Sequence, residues 1–164
     1  MEIGEKKTMS TTNNLNGLDL GSTVLEAEWM ITIDIPDSGV TNVLNALEKN
    51  IPLTQGPYDC CSFIRRNGQQ RFRCLEGSHA GDEGTIQQTS ASQIIVSIPQ
   101  DEALLHDLFE TVFNSHVNEE PTIRVQSVWG SRSKLIDSTD NPNRYWNRSD
   151  AETIHGTSTG EKIP

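Results

Sequence analysis

Aromatic side chains make up only 5% of the 164 residues, and hydrophobic residues of all kinds only 34%. A chain this poor in apolar surface cannot fill one core along its whole length, because polar segments bury too little to offset the entropy lost on ordering. Long apolar runs are also missing: the longest reach three residues, as in Ile94-Ile95-Val96, far short of a bilayer span. Basic residues are scarce, with 13 Lys and Arg against 23 Asp and Glu, a net charge of −10. Such a field repels nucleic-acid phosphates and anionic membrane surfaces, so neither is expected as a partner. Cysteines number three, an odd count that does not suit a secreted disulfide framework. The opening stretch MEIGEKKTMSTTNN has lysines but no apolar stretch behind them, unlike a secretory leader. The expected compartment is the cytosol, or the nucleus, with reduced thiols.

Composition divides the chain into three. Residues 1–26 and 131–164 are rich in Ser, Thr, Asn and Gly without periodicity and are expected to be largely disordered; residues 27–130 should form one domain. The aromatic pair Tyr145-Trp146 stands out in the second tail, either docked on a surface or hanging free. Within the domain, Trp29, Ile31, Ile33 and Ile35 alternate as one face of a strand that Pro36 stops. Asp37 or Ser38 is placed to cap a helix carrying Val40, Val43, Leu44 and Leu47 at helical spacing. From Cys60 to Leu75 the pattern reads as a hairpin centred on Asn67-Gly68, with Phe63 facing Phe72 and Cys61 facing Cys74. A strand over 85–98, a helix opened by Pro99-Gln100-Asp101-Glu102 with Leu104, Leu105, Leu108, Val112 and Phe113 as its buried stripe, and a strand over 122–128 complete the order. This predicts an α+β, ferredoxin-like βαββαβ sandwich with an additional hairpin: an antiparallel sheet with two helices on one face.

Three motifs carry a resemblance. Gly56-Pro57-Tyr58-Asp59-Cys60-Cys61-Ser62-Phe63 resembles G-x-Y-x-x-C-S-F. Phe72-Arg73-Cys74-Leu75-Glu76-Gly77-Ser78 is similar to F-R-P-L-E-G-S, and His116-Val117-Asn118-Glu119-Glu120-Pro121 to H-P-Y-E-E-P. In this order they resemble the small ferredoxin-like domain of the Ngg-interacting factor (GTP-cyclohydrolase-type-two-like) family, itself similar to the divalent-cation-tolerance protein CutA and to PII signalling proteins. The motif proline is replaced by Cys74, and its Pro-Tyr by Val117-Asn118. The resemblance implies a stand-alone module that pairs sheet edges into a homo-oligomer, a trimer above other sizes, with a small anion or a metal as ligand. The family's dinuclear metal site lies in flanking domains and does not carry over, and the cofactor, if there is one, is left open.

Several groups are candidates for chemistry. Cys60, Cys61, Cys74, His79 and His116 include soft and borderline metal ligands, but no C-x-x-C or H-x-x-x-H spacing joins them; the plainer reading packs Cys61 and Cys74 as small apolar residues. His116 with Glu119 or Glu120 would make a general acid–base pair. Alternatively His116, charged, caps a helix while the glutamates reach a neighbouring subunit. Arg65, Arg66, Arg71 and Arg73 form the one basic cluster, suited equally to gripping a carboxylate or phosphate and to salt-bridging the acidic surface or a neighbouring subunit; Arg71, Arg73, Glu76, Gly77 and Ser78 are the expected ligand-binding set. Gly77, Gly81 and Gly84 could form an anion nest, although Glu76, Asp82 and Glu83 beside them would repel a phosphate. With no nucleophile set against a base, a non-catalytic binding, sensing or scaffolding module is the favoured reading. A small enzyme, or an enzyme's accessory subunit, with a subunit-cleft site is the alternative.

Overall fold

The alternation of Trp29, Ile31, Ile33 and Ile35 sends every second side chain to one face, and Ile31, Ile33 and Ile35 are fully buried there. The computed structural model describes residues 14–79, 81–135, 138–150 and 153. Strand β1 (Thr23–Pro36) is followed by a single 3-10 turn at Asp37–Gly39, helix α1 (Val40–Asn50), β2 (Phe63–Arg73), β3 (Ile86–Pro99), helix α2 (Glu102–Ser115) and β4 (Thr122–Ser133). The sheet is antiparallel in the order β2-β3-β1-β4, the ferredoxin-like arrangement. The core lies between one sheet face and the helices: the β1 isoleucines meet Ile94, Val96 and Ile98 of β3, Val43 and Leu47 of α1, and Leu108 and Val112 of α2. Ile51 and Leu53, on either side of Pro52, close one end of this core.

Several expectations change. Asn67-Gly68 is not a hairpin turn, and the additional hairpin expected around it is not formed. β2 runs straight through both residues as one strand along β3, with a one-residue bulge between Arg65 and Gly68. Asn67 takes the left-handed conformation (φ 67°) that the pair favours, but the chain uses it to bulge rather than to reverse. A Cβ at position 68 would lie 2.9 Å from the Ala91 carbonyl oxygen, so glycine is required by the close approach of β3. Phe63 therefore pairs with Ile95, and Phe72 with Gln87. Cys60 and Cys61 lie in the loop before β2, because Cys60 is left-handed (φ 55°) and breaks the extended run; Cys61 does not face Cys74.

Asp37 does not cap α1. It accepts a 2.6 Å hydrogen bond from the Ser92 hydroxyl, and Gly39 holds the cap position with no side-chain bond. Asp101 does cap α2, accepting from the amides of Ala103 and Leu104. Phe113 is 61% exposed rather than part of the stripe. The sheet outruns the expected 27–130 boundaries: β1 begins at Thr23 and β4 ends at Ser133. Gly17, Leu18 and Leu20 bond back to Leu25 and Thr23, and Lys134 pairs with Asp19 at 2.5 Å. In the second tail, the Trp146 ring is 64% exposed and carries the Arg144 guanidinium 5.3 Å from its centroid. Among the described residues no helix is long and apolar enough to cross a membrane.

Candidate functional site

β2 and β3 continue past the end of β1, whose last partner on β3 is Ala91. This two-stranded arm forms one wall of a cavity of about 280 Å³, through Gln70, Arg71, Phe72, Arg73 and Cys74. Ser78 follows the arm, and Asn118, Glu119, Glu120 and Thr122 form the opposite side. Two of the three family-like motifs thus meet across one space, although Ser78, the last residue of one, and His116, the first of the other, are 38 positions apart along the chain.

The wall after α2 is fixed by His116, the cap residue at the end of that helix. Its Nε2 donates to the Asp34 carbonyl at 3.1 Å, and its Nδ1 accepts from the Asn118 amide at 2.9 Å. An amide N–H facing Nδ1 requires that nitrogen to be unprotonated, and the carbonyl facing Nε2 requires a proton there. The ring is therefore the neutral Nε2–H tautomer, bonded to backbone on both sides. This corrects the expectation of a charged His116 held by the helix dipole, and His116 is not among the residues lining the cavity. The acid–base pairing of His116 with Glu119 or Glu120 is not formed. Instead, the Glu119 carboxylate meets His79: one oxygen lies 2.8 Å from Nδ1 and the other accepts from the His79 amide at 3.4 Å. Pro121 immediately precedes β4, where its missing amide leaves no donor unpaired.

The other candidates separate. Among the described residues no three His, Cys, Asp or Glu side chains converge as a metal site, so Cys61, Cys74, His79 and His116 are not brought together. No disulfide joins the three cysteines: Cys74 is buried, Cys61 partly so, and Cys60 exposed. The Cys60 thiol is pushed above its usual range, first by desolvation and then by the nearby charge of Asp59 and Glu48. Gly56 and Tyr58 belong to a tight turn closed by reciprocal hydrogen bonds between Gln55 and Tyr58, with the Tyr58 ring 67% exposed. Ser62 is exposed in the loop leading to β2. Glu76 and Gly77 form the tip of a turn closed by Ser78 N–H to the Leu75 carbonyl (3.1 Å), with Gly77 at φ 90°. Of the expected ligand-binding set, Arg71, Arg73 and Ser78 line the cavity while Glu76 and Gly77 do not.

The arginine cluster is split by the strand. Arg65 and Arg66 lie at the bulge, away from Arg71 and Arg73. Arg65 donates to Gln93, Gln93 donates to Asp34, and Arg124 pairs with Asp34 at 2.5 Å. One residue from each strand thus forms a polar row across the sheet face opposite the helices. Single-sequence reading missed this row, since only the strand order brings the four together.

No family model matches the chain, and no curated protein matches it. Among solved structures it is similar to a Bacillus cereus protein related to NIF3, with TM-score 0.54 and 21% identity over 71% of this chain. The chain spans only 31% of that protein's length. It also aligns with CutA1 from Oryza sativa (TM-score 0.46, 15% identity, 67% of this chain and 85% of that one). A further alignment is with the divalent ion tolerance protein CutA1 from Ehrlichia chaffeensis (TM-score 0.47, 15% identity, 67% and 89%). At such identities the likeness is one of fold: a ferredoxin-like α+β domain.

Proposed function

We propose that this chain is a non-catalytic binding module, working as an assembly of identical copies, with the arm cavity as its ligand site. The observation that carries the reading is the gathering of Arg71, Arg73 and Ser78 on one side of that cavity. Among the described residues neither arginine has an acid partner. Two guanidiniums and a hydroxyl suit a small carboxylate or phosphate, which guanidinium forks bind in a planar, paired geometry. The enzyme alternative is less well supported, because it needs a free ring nitrogen on His116 and both are bonded to backbone. The fold likeness to a NIF3-related protein supports the finer reading of a counterpart of that family's ferredoxin-like domain, and the motif resemblance extends it to a trimer in the cytosol.

Calorimetric titration of the full chain with inorganic phosphate and with acetate tests the site. Arg71→Gln and Arg73→Gln should each weaken binding about tenfold or more, since a hydrogen bond to a charged group contributes about 1.5–3 kcal/mol. Arg66→Gln, outside the cavity, should leave affinity unchanged. Binding that ignores both cavity substitutions places the site elsewhere.

A further inference from the structure

The cavity has a second property that a plain anion site would not need. Facing Arg71 and Arg73 are two carboxylates, Glu119 and Glu120. Glu119 is held by His79, but among the described residues the Glu120 side chain has no hydrogen bond or ion pair, and neither do those of Arg71 and Arg73. Opposite charges on long side chains around one small space would ordinarily close on each other. Here the two sides stand on different elements, bridged by the contact of His79 with Glu119 and not by the arginines. The arginines stand on β2, laddered to β3, and the glutamates follow a segment anchored by His116 to the Asp34 carbonyl and the Asn118 amide.

Resting on the binding reading above, we infer that the ligand is a small dipolar molecule, with a phosphate or carboxylate at the arginine side and an ammonium at the Glu120 side. A plain anion would gain the arginines but sit close to two carboxylates. A plain cation would meet the reverse. A molecule with both poles satisfies both sides and leaves no charge uncompensated. The volume, about 280 Å³, lies just below the usual range of ligand pockets, about 300–1,000 Å³, and so limits the guest to the size of an amino acid or an aminoalkyl phosphate.

The experiment compares O-phosphoethanolamine and β-alanine with their single-pole parts, inorganic phosphate, acetate and ethanolamine, by calorimetry on the full chain. At least one dipolar probe should bind about tenfold more tightly than its own anion and than ethanolamine. Glu120→Gln should remove that advantage without weakening phosphate, whereas Arg73→Gln should weaken every anionic probe. Both positions are exposed, so melting curves should match the parent and exclude misfolding. If the anions bind as tightly as the dipolar probes, or Glu120→Gln leaves the ratio unchanged, the dipolar inference falls while the anion-binding module stands. If no probe binds at millimolar concentration, both fall.

Discussion

His116 shows how one residue can look catalytic in a sequence and be structural in the fold. A histidine followed by two glutamates has the composition of an acid–base site, yet the end of α2 leaves carbonyls and a turn to organise, and the ring does that work. His116→Ala should therefore cost stability, about 1–3 kcal/mol for the two backbone groups left unbonded, read as a lower denaturant midpoint. Nitrogen NMR of the wild type should report the Nε2–H tautomer; a ring protonated on Nδ1 at neutral pH would contradict the assignment. Asp19 offers a second test at this scale. Its carboxyl is held below the usual range, first by the hydrogen bond from Lys134 and then by the Gly21 amide. A depressed folded value means that the contribution is complete above the unfolded value and is lost as pH falls through the folded one. In an NMR titration Asp19 should have a midpoint below that of an ordinary aspartate, and Lys134→Ala should raise it.

At the scale of elements, the helices and central strands were legible because burial imposes their periods: Ile31, Ile33 and Ile35 at every second position, Val43 and Leu47 one turn apart. The helix starts were legible, but not which side chains cap them. Asp101 had no competing partner and capped α2, while Asp37 was taken by Ser92, a residue 55 positions away. β2 was misread for a similar reason. Asn67-Gly68 encodes a local conformation, but whether that conformation reverses the chain or bulges it depends on β3, whose Ala91 carbonyl comes against Gly68. The site was legible only in parts: Arg71, Arg73, Ser78, Glu119 and Glu120 could be nominated singly, but their facing arrangement follows from the arm. Substitutions separate the two roles of the pair. Gly68→Ala should cost about 1–3 kcal/mol by pushing β3 away. Asn67→Val should cost about 1–2 kcal/mol for a branched residue in the left-handed region, and Asn67→Gly should be near neutral. A hairpin turn would tolerate Gly68→Ala no better but would place Phe63 beside Phe72. Nuclear Overhauser contacts should instead join Phe63 to Ile95.

At the scale of the whole molecule, the helices cover one face of the sheet and leave the other open. Met30, Thr32, Ile95 and Arg124 line an open hollow of about 680 Å³ there, and Phe63, which shares that face with Ile95, is 62% exposed. Charges on this face are largely matched: Asp34 with Arg124, and the buried Glu28 with Arg132. The chain's overall charge of −10 opposes self-association, so the near neutrality of this face matters: it is where two copies could meet without like-charge repulsion. β2 and β4, of 11 and 12 residues, are also the edges of the sheet and carry unpaired backbone groups. The proposed assembly should therefore depend on the open face. Sedimentation velocity across a dilution series should show a multimer that dissociates on dilution. Phe63→Asp should shift that equilibrium toward monomer by about 2 kcal/mol or more if the ring sits at the centre of the contact. Because Phe63 is exposed in the single chain, the variant's fold should persist, with an unchanged helical circular dichroism spectrum. A wild-type chain that sediments as a monomer at high concentration would end the assembly reading. A multimer indifferent to Phe63→Asp would move the contact to the strand edges.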